Sequence, residues 1–424
     1  KTLGTLDAGI LFALAEVEGR SLGRAAESME HAAQALALRP ADAEARALLA
    51  FAAAQRGQHG RAIDETCALL AEGGRGLLAL RDAASALATL ESSLASEHRH
   101  DEALAARELR AVAGALDEAT YVALRARRLP NPGGAAATPG ALERSVLIAS
   151  VVPAAGRHAL VEIAFALAGA EGKLVEDDGA DLGLSARDRI APATRVPLRA
   201  WFDRLLRVFA VTEVELAQKS DLPSVRVVAA TPPWVVVPTA LAAQGDPPLT
   251  AGLARALARV AVGAFWLDAL PPTQSLPLLV AAARQVHGTF GRGSSPGLEG
   301  GVVDQERRLG RILGRREKKA LAALEPVLRH APPPQVKELE AAILALRQGA
   351  ARAAFLVTGD LLATLDELRA SDAALGRATQ SAGLPALAAV LAHPLAGDVC
   401  RYALTREAAQ LRRRLGSTFS PAAV

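Results

Sequence analysis

Two equivalent turns stand 34 residues apart in the first third of the chain. The segment GRAAESMEHAAQALALRP (23–40) places small residues at Ser28 and Ala35, apolar residues at Ala32, Leu36 and Leu38, and a proline at Pro40. In RGQHGRAIDETCALL (56–70), Gly57 and Ala62 take the places of Gly23 and Ser28. Glycine supplies a left-handed turn between two helices, and proline cannot continue the second helix. A recurrence at this period suits repeated helical units, each of which needs neighbours to bury its faces. Composition agrees. Hydrophobic residues make up 51% of the chain but aromatics only 3%, so the apolar share is mostly Ala, Leu and Val, and Ala and Leu are strong helix formers.

The pattern resembles the tetratricopeptide repeat (TPR). Three units are expected, roughly 9–42, 43–76 and 84–117; the third keeps Ala103 and follows a short insertion around 77–83. Unrelated Ala/Leu-rich hairpins would give a similar pattern. The resemblance implies a TPR-like α-solenoid over 1–128, with Gly23, Ser28, Ala35, Pro40, Gly57 and Ala62 as repeat-packing positions. It also implies a concave groove suited to an extended peptide or a helix, so the expected partner is a protein or peptide segment. The chain opens on Lys1, inside the first unit, so preceding repeats are expected, and such an opening is also compatible with an upstream signal peptide.

LPNPGGAAATPGALER (129–144) carries three prolines and three glycines and reads as a linker. A second domain is expected over 145–424. There, SVLIASVV (145–152) suits a buried strand, followed by a helix near 158–170 and an acidic, glycine-containing loop at 176–183. PLRAWFDRLLRVFA (197–210) has helical spacing, and VTEVEL (211–216) is a candidate strand. SVRVVAA (224–230) and PWVVVPTALA (233–242) read as two β-rich segments joined at Thr231-Pro232-Pro233 in a hairpin-like pairing. Thr250 is a candidate N-cap for a helix to about 264. Further helices are expected near 274–287, 303–329, 334–370 and 397–416. The expected fold class is mostly α, a TPR-like solenoid followed by an α+β domain with a small β-sheet.

The order of helix, small sheet and then LARALARVAVG (253–263) resembles the core of gluzincin-type zinc peptidases, the group that includes CAAX-processing proteases. AARAAFLVTGDLLATLDEL (350–368), with Gly359-Asp360, is similar to a later helix of that group. The resemblance covers roughly 197–370 and implies a zincin-like domain. It also implies where the metal machinery would sit: His-Glu-x-x-His at Arg255, Ala256 and Arg259, a third ligand near Arg347, and an Asp near Ala351. A catalytic zinc needs three protein ligands and an open position, and its general base is the glutamate beside the first His. Arginine has no lone pair to give and stays protonated. The positions are therefore degenerate, and the expectation is a pseudo-peptidase without metal or other cofactor. If the arginines converge, they are suited to an anion or a carboxylate; otherwise they face solvent.

No replacement chemistry stands out. The histidines are His31, His59, His98, His100, His158, His287, His330 and His393. Of these, His98 and His100 in EHRHDE suit the polar turn of the third repeat better than a metal. TFGRGSSPGLEGG (289–301) lacks the Gly-Lys-Ser/Thr of a P-loop and reads as a flexible connection. Cys67 and Cys400 are too far apart in sequence to form a disulfide framework or a Cys-rich zinc site. As two inert buried thiols they fit a reducing, cytoplasmic compartment. The proline-broken stretch 227–245 does not suit a membrane span.

A net charge of +3 gives little support for a nucleic-acid partner. RRLGRILGRREKK (307–319) is the exception. Arg308, Arg311 and Arg315 are spaced to share one helix face, a possible basic patch, although a solvated face is the default; RRR (412–414) reads likewise. The expected function is a non-catalytic interaction or scaffold protein. The alternatives are a divergent zinc metallopeptidase with an unrecognised active site and, more weakly, a nucleic-acid-binding factor.

Overall fold

Left-handed turns fold the first third of the chain into three helical hairpins. The computed structural model describes residues 7–126, 139–175, 179–245, 247–293 and 297–418. The first hairpin pairs α1 (Ala8–Glu16), extended by a π-helical turn at Val17–Ser21, with α2 (Ala25–Leu38). The second pairs α3 (Ala43–Gln55) with α4 (His59–Leu69). A broken segment, α5 (Ala71–Leu78), is left-handed at Glu72, Gly73 and Gly74 and leads to α6 (Ala83–Ser96) and α7 (His100–Val112). A last short helix, α8, spans Glu118–Ala126.

The turns inside the hairpins share one conformation. Gly23, Gly57 and His98 have φ of 65°, 73° and 57°. Gln58 N donates to Ala53 O at 2.8 Å, and Arg99 N donates to Leu94 O at the same distance. His98 thus stands in the third hairpin where glycine stands in the second, and a Cβ there is strained. Close crossing follows from small residues: a Cβ on Gly19 would lie 2.6 Å from Ser28 Oγ. Ser28 is fully buried and donates to Ala15 O at 2.7 Å. Ala35 and Ala62 are also buried. Pro40 follows the end of α2, and Asp42 then caps α3 by accepting from Ala45 N. Ion pairs join the helices of two hairpins, Arg46 to Glu65 and both Arg107 and Arg110 to Glu91. The stack is solenoid-like, with its core on Ala15, Ala32, Leu48 and Leu49 in the first two hairpins.

The second compact unit comprises Asn131–Thr358 and Arg414–Ser417. It begins, within the described residues, with α9 (Arg144–Val146), which continues as a π-helical turn over Leu147–Val151. SVLIASVV is therefore helical and not a strand. A short apolar run has no period that separates a buried strand from a buried helix turn, and here Leu147 and Val151 are buried one turn apart. Then come α10 (Ala159–Ala166), α11 (Glu171–Leu174) and α12 (Pro197–Phe209). The sheet consists of β1 (Glu215–Lys219), β2 (Arg226–Val228) and β3 (Trp234–Pro238) in the order β1-β3-β2. β2 and β3 pair antiparallel across a turn with a cis Thr231–Pro232 bond, while β1 adds parallel to β3. β1 begins near the end of the expected 211–216 strand, because Val211 is still bonded to the end of α12 through Leu206 O.

Helices complete this unit: α13 (Thr239–Gln244), α14 (Pro248–Val262), α15 (Pro272–Arg284), α16 (Leu298–Ile312), α17 (Arg315–Ala322), α18 (Glu325–His330) and α19 (Val336–Thr358). Thr250 lies inside the first turn of α14 instead of capping it, since Pro248 opens the helix. The single helix expected over 303–329 is three helices, interrupted at Leu313-Gly314 and Ala323-Leu324. The helix expected over 334–370 stops at Thr358, where Gly359 takes φ 62°. α14 and α19 pack directly against each other. By length and composition α19 would cross a membrane, but 67% of its apolar window is buried inside the protein, as in a core helix.

The last helices are α20 (Leu361–Ser371), α21 (Ala373–Ala378), α22 (Leu384–Ala392), α23 (Ala396–Ala403) and α24 (Arg406–Leu415). Residues 359–413 form a compact unit with 1–130, where a single second domain was expected over 145–424. Polar contacts onto α7 account for this. Leu361 N donates to Glu108 Oε2, and Gly383 N donates to Val112 O at 3.0 Å. Arg99 donates to Leu404 O, and Arg412 reaches Asp101 at 3.3 Å and Gly359 O at 3.4 Å. Arg412 is only 1% exposed, so RRR (412–414) is not a uniformly solvated face; Arg413 and Arg414 are exposed. Most of the expected linker, 129–138, lies outside the described residues, as do 127–128, 176–178 of the acidic loop and 294–296 of the glycine-rich stretch.

Candidate functional site

The first helices of the three hairpins, α1, α3 and α6, are neighbours within their unit. In the face they share is a small groove of about 40 Å³, lined by Glu16, Glu44, Ala47, Phe51, Arg81 and Thr89. Phe51 is half-buried because one side of its ring packs on the core around Leu48 and Leu49. Glu44 is fixed by the Arg81 backbone N–H at 2.7 Å. The surface offers an aromatic face between small side chains, with charges of both signs at its edges. Such a surface buries an apolar side chain and orients polar groups beside it.

In the second unit, the positions matched to zinc ligands hold a different structure. Arg259 on α14 donates through Nη2 to Asp268 Oδ2, and Arg347 on α19 donates through Nε to Asp268 Oδ1. Each carboxylate oxygen thus meets one guanidinium. Asp268 is placed by the short 3-10 turn Phe265–Ala269, which follows the end of α14 at Gly263. The three side chains are 21%, 18% and 47% exposed for Arg259, Asp268 and Arg347. Phe265, Leu267, Ile343 and Leu346 pack around them and leave a void of about 10 Å³, room for a single water at most. Arg255 is half-buried one turn earlier on α14, and Ala256 and Ala351 are buried. Arg259 and Arg347 therefore converge on a carboxylate. Asp268 was not singled out by the sequence, though an acid in the otherwise apolar FWLDAL directly after the helix is the signal that marks it.

The basic cluster does not form one face. Arg308 is half-buried and donates to Lys173 O and Leu174 O, where it satisfies the end of α11. Arg311 ends the same helix exposed, whereas Arg315 opens α17 beyond the Leu313-Gly314 break. Near α17, Glu171 is buried, and desolvation pushes its carboxyl above the ordinary value despite the Gly169 N–H it accepts and the charge of Arg316. Glu317 adds to the upward push.

His98 and His100 stand at the turn between α6 and α7, with ring centroids 6.0 Å apart. Among the described residues no three His, Cys, Asp or Glu side chains are grouped so as to hold a metal ion. Burial pushes the Cys67 thiol up to about 11 and the Cys400 thiol up to about 12, which leaves neither an available thiolate at neutral pH. No family model, curated protein or solved structure matches the chain.

Proposed function

We propose that the protein is a non-catalytic interaction protein. Its TPR-like hairpins capture a peptide or protein segment on the face of α1, α3 and α6, with one of the segment's side chains at the small groove beside Phe51. Its second unit is a peptidase-like module that acts as a scaffold without metal or cofactor. The observation that carries this reading is the neighbouring of α1, α3 and α6, which puts half-buried Phe51 on the small groove in their shared face. Solenoids use such shared surfaces to bind extended segments. The Arg259–Asp268–Arg347 bridge supports the second half of the reading. A zinc ion at that place would meet two cations and one carboxylate already occupied by both.

The test is selection of displayed peptides on the full chain, followed by titration of the best sequence against wild type and Phe51→Ala. Loss of the aromatic anchor is expected to weaken binding by about tenfold or more. Selection that yields no peptide, or peptides whose affinity is unchanged in F51A, overturns the groove assignment.

A further inference from the structure

A second site, independent of the groove, lies in the unit that contains the sheet. A cleft of about 770 Å³ opens there between the start of α9, α10 and the end of α12. The size is that of a small-molecule pocket. Its floor is apolar, with Phe165 and Phe209 buried beneath it and Ile148, Val211 and Ala261 at its sides. Its polar groups stand at the rim. Two main-chain bonds fix this geometry: Gly140 N donates to Arg207 O at 2.8 Å, and Leu142 N donates to Val208 O at 3.0 Å. They hold the strand of chain leading into α9 against the last turn of α12.

The arginines of the cleft differ. Arg157 is committed: its Nε donates to Ile148 O at 2.9 Å and its Nη2 to Ala149 O at 2.5 Å. These bonds satisfy carbonyls at the π-helical turn. Arg144 instead lies over the face of Phe165, with Cζ 3.9 Å from the ring centroid. Stacking satisfies the flat face of a guanidinium and leaves its in-plane N–H groups directed outward. Glu162 contributes charge from α10, but it does not offset the desolvation of Arg144, whose guanidinium is held below its ordinary value. Glu143 is turned to Ser145, whose Oγ donates to it at 2.6 Å.

We propose that this cleft binds a carboxylate carried on an apolar, planar body. The carboxylate would take the in-plane N–H fork of Arg144, and the body would lie against the half-buried side chains of Ile148, Val211 and Ala261. Such a group has two sources, a free aromatic acid or the C-terminal carboxylate of a peptide ending in an aromatic residue. A planar fork favours a carboxylate because both oxygens are met at once. A neutral amide of the same shape cannot make that pairing.

The experiment titrates the full chain with 3-phenylpropionate and with its neutral counterpart 3-phenylpropionamide. A parallel arm uses a pentapeptide ending in Phe, as the free acid and as the C-terminal amide. In at least one arm the acid is expected to bind about tenfold more tightly than the amide. Preference in the first arm identifies a free acid as the ligand, and preference in the peptide arm alone identifies a chain terminus. Arg144→Gln should abolish the preference, and Arg144→Lys should lose most of it, because an ammonium keeps the charge but not the fork. Arg144 is exposed at its outer edge, so both variants should keep the wild-type circular dichroism. Equal binding of acid and amide in both arms overturns the proposal. So does a preference that survives Arg144→Gln.

Discussion

Removal of the Asp268 charge should be felt in the stability of the second unit. In Asp268→Asn the two guanidiniums of Arg259 and Arg347 stay facing one another without the charge between them. Exposed ion pairs contribute about 0–1 kcal/mol, whereas breaking a buried one costs about 3–5 kcal/mol. With side-chain exposures from 18% to 47%, this bridge lies between, and the loss should be about 1–3 kcal/mol. At a urea slope of about 2–3 kcal/mol per molar, the midpoint should fall by about 0.3–1.5 M. The assay is built into the sequence. Trp201, Trp234 and Trp266 are the three tryptophans of the chain, and all lie in the second unit, so indole fluorescence follows that unit alone. Coupling provides the decisive arm: Arg347→Gln should destabilise wild type but cost little, or even relieve repulsion, in the Asp268→Asn background. An unchanged midpoint in D268N, or an equal cost of R347Q in both backgrounds, would refute the bridge.

Three further outcomes follow from the same structure. His98→Gly should stabilise the hairpin unit by about 0.5–1 kcal/mol, because relief of a left-handed Cβ outweighs the extra freedom glycine gives the unfolded chain; Gly57→Ala should destabilise by a similar amount, and far-UV circular dichroism melts check both. If H98G lowers the melting temperature, the three turns are not equivalent. Glu171 carries a carboxyl whose folded pKa is raised by burial, so the stability it contributes is complete below its unfolded pKa and is lost as pH rises through the folded value. Glu171→Gln should therefore gain on wild type as pH rises above the unfolded carboxyl value of about 4, read by the same tryptophan transition, and a difference that does not change with pH contradicts the assignment. Thiol titration of the native chain should find Cys400 unreactive at neutral pH, with reaction appearing only on unfolding; rapid native labelling of both thiols would show the site is open.

The parts of the fold that local chemistry specifies were legible in the sequence. Gly23 and Gly57 mark the first two hairpin turns because a left-handed backbone favours glycine, and β2 and β3 are visible as β-branched runs around Thr231-Pro232-Pro233. The third turn was harder to place, since His98 replaces the glycine and the α5 segment puts it 41 residues after Gly57. Of the helix breaks inside 303–329, one rests on the single Gly314 and the other falls at Ala323-Leu324, before Pro326; a helical pattern absorbs both without a visible change of period. The return of 359–413 to the hairpin unit was not readable at all. It depends on Glu108, Asp101 and Val112 meeting Leu361, Arg412 and Gly383 across more than 200 residues, and neither periodicity nor capping encodes such pairings. For the candidate site, arginine at 255 and 259, where the resemblance would call for imidazole, was evident. Its consequence was not, because Asp268 becomes a partner only once α14 and α19 pack.

The claim that the second unit works without zinc is tested most directly by measuring the metal bound to the full chain. The protein should be purified without chelator, loaded with zinc and passed through gel filtration into metal-free buffer. Atomic spectroscopy is then expected to find only a small fraction of one zinc per chain, since two arginines and an occupied carboxylate offer no tetrahedral ligand set. About one zinc per chain, together with peptide hydrolysis that a chelator abolishes, would contradict the account.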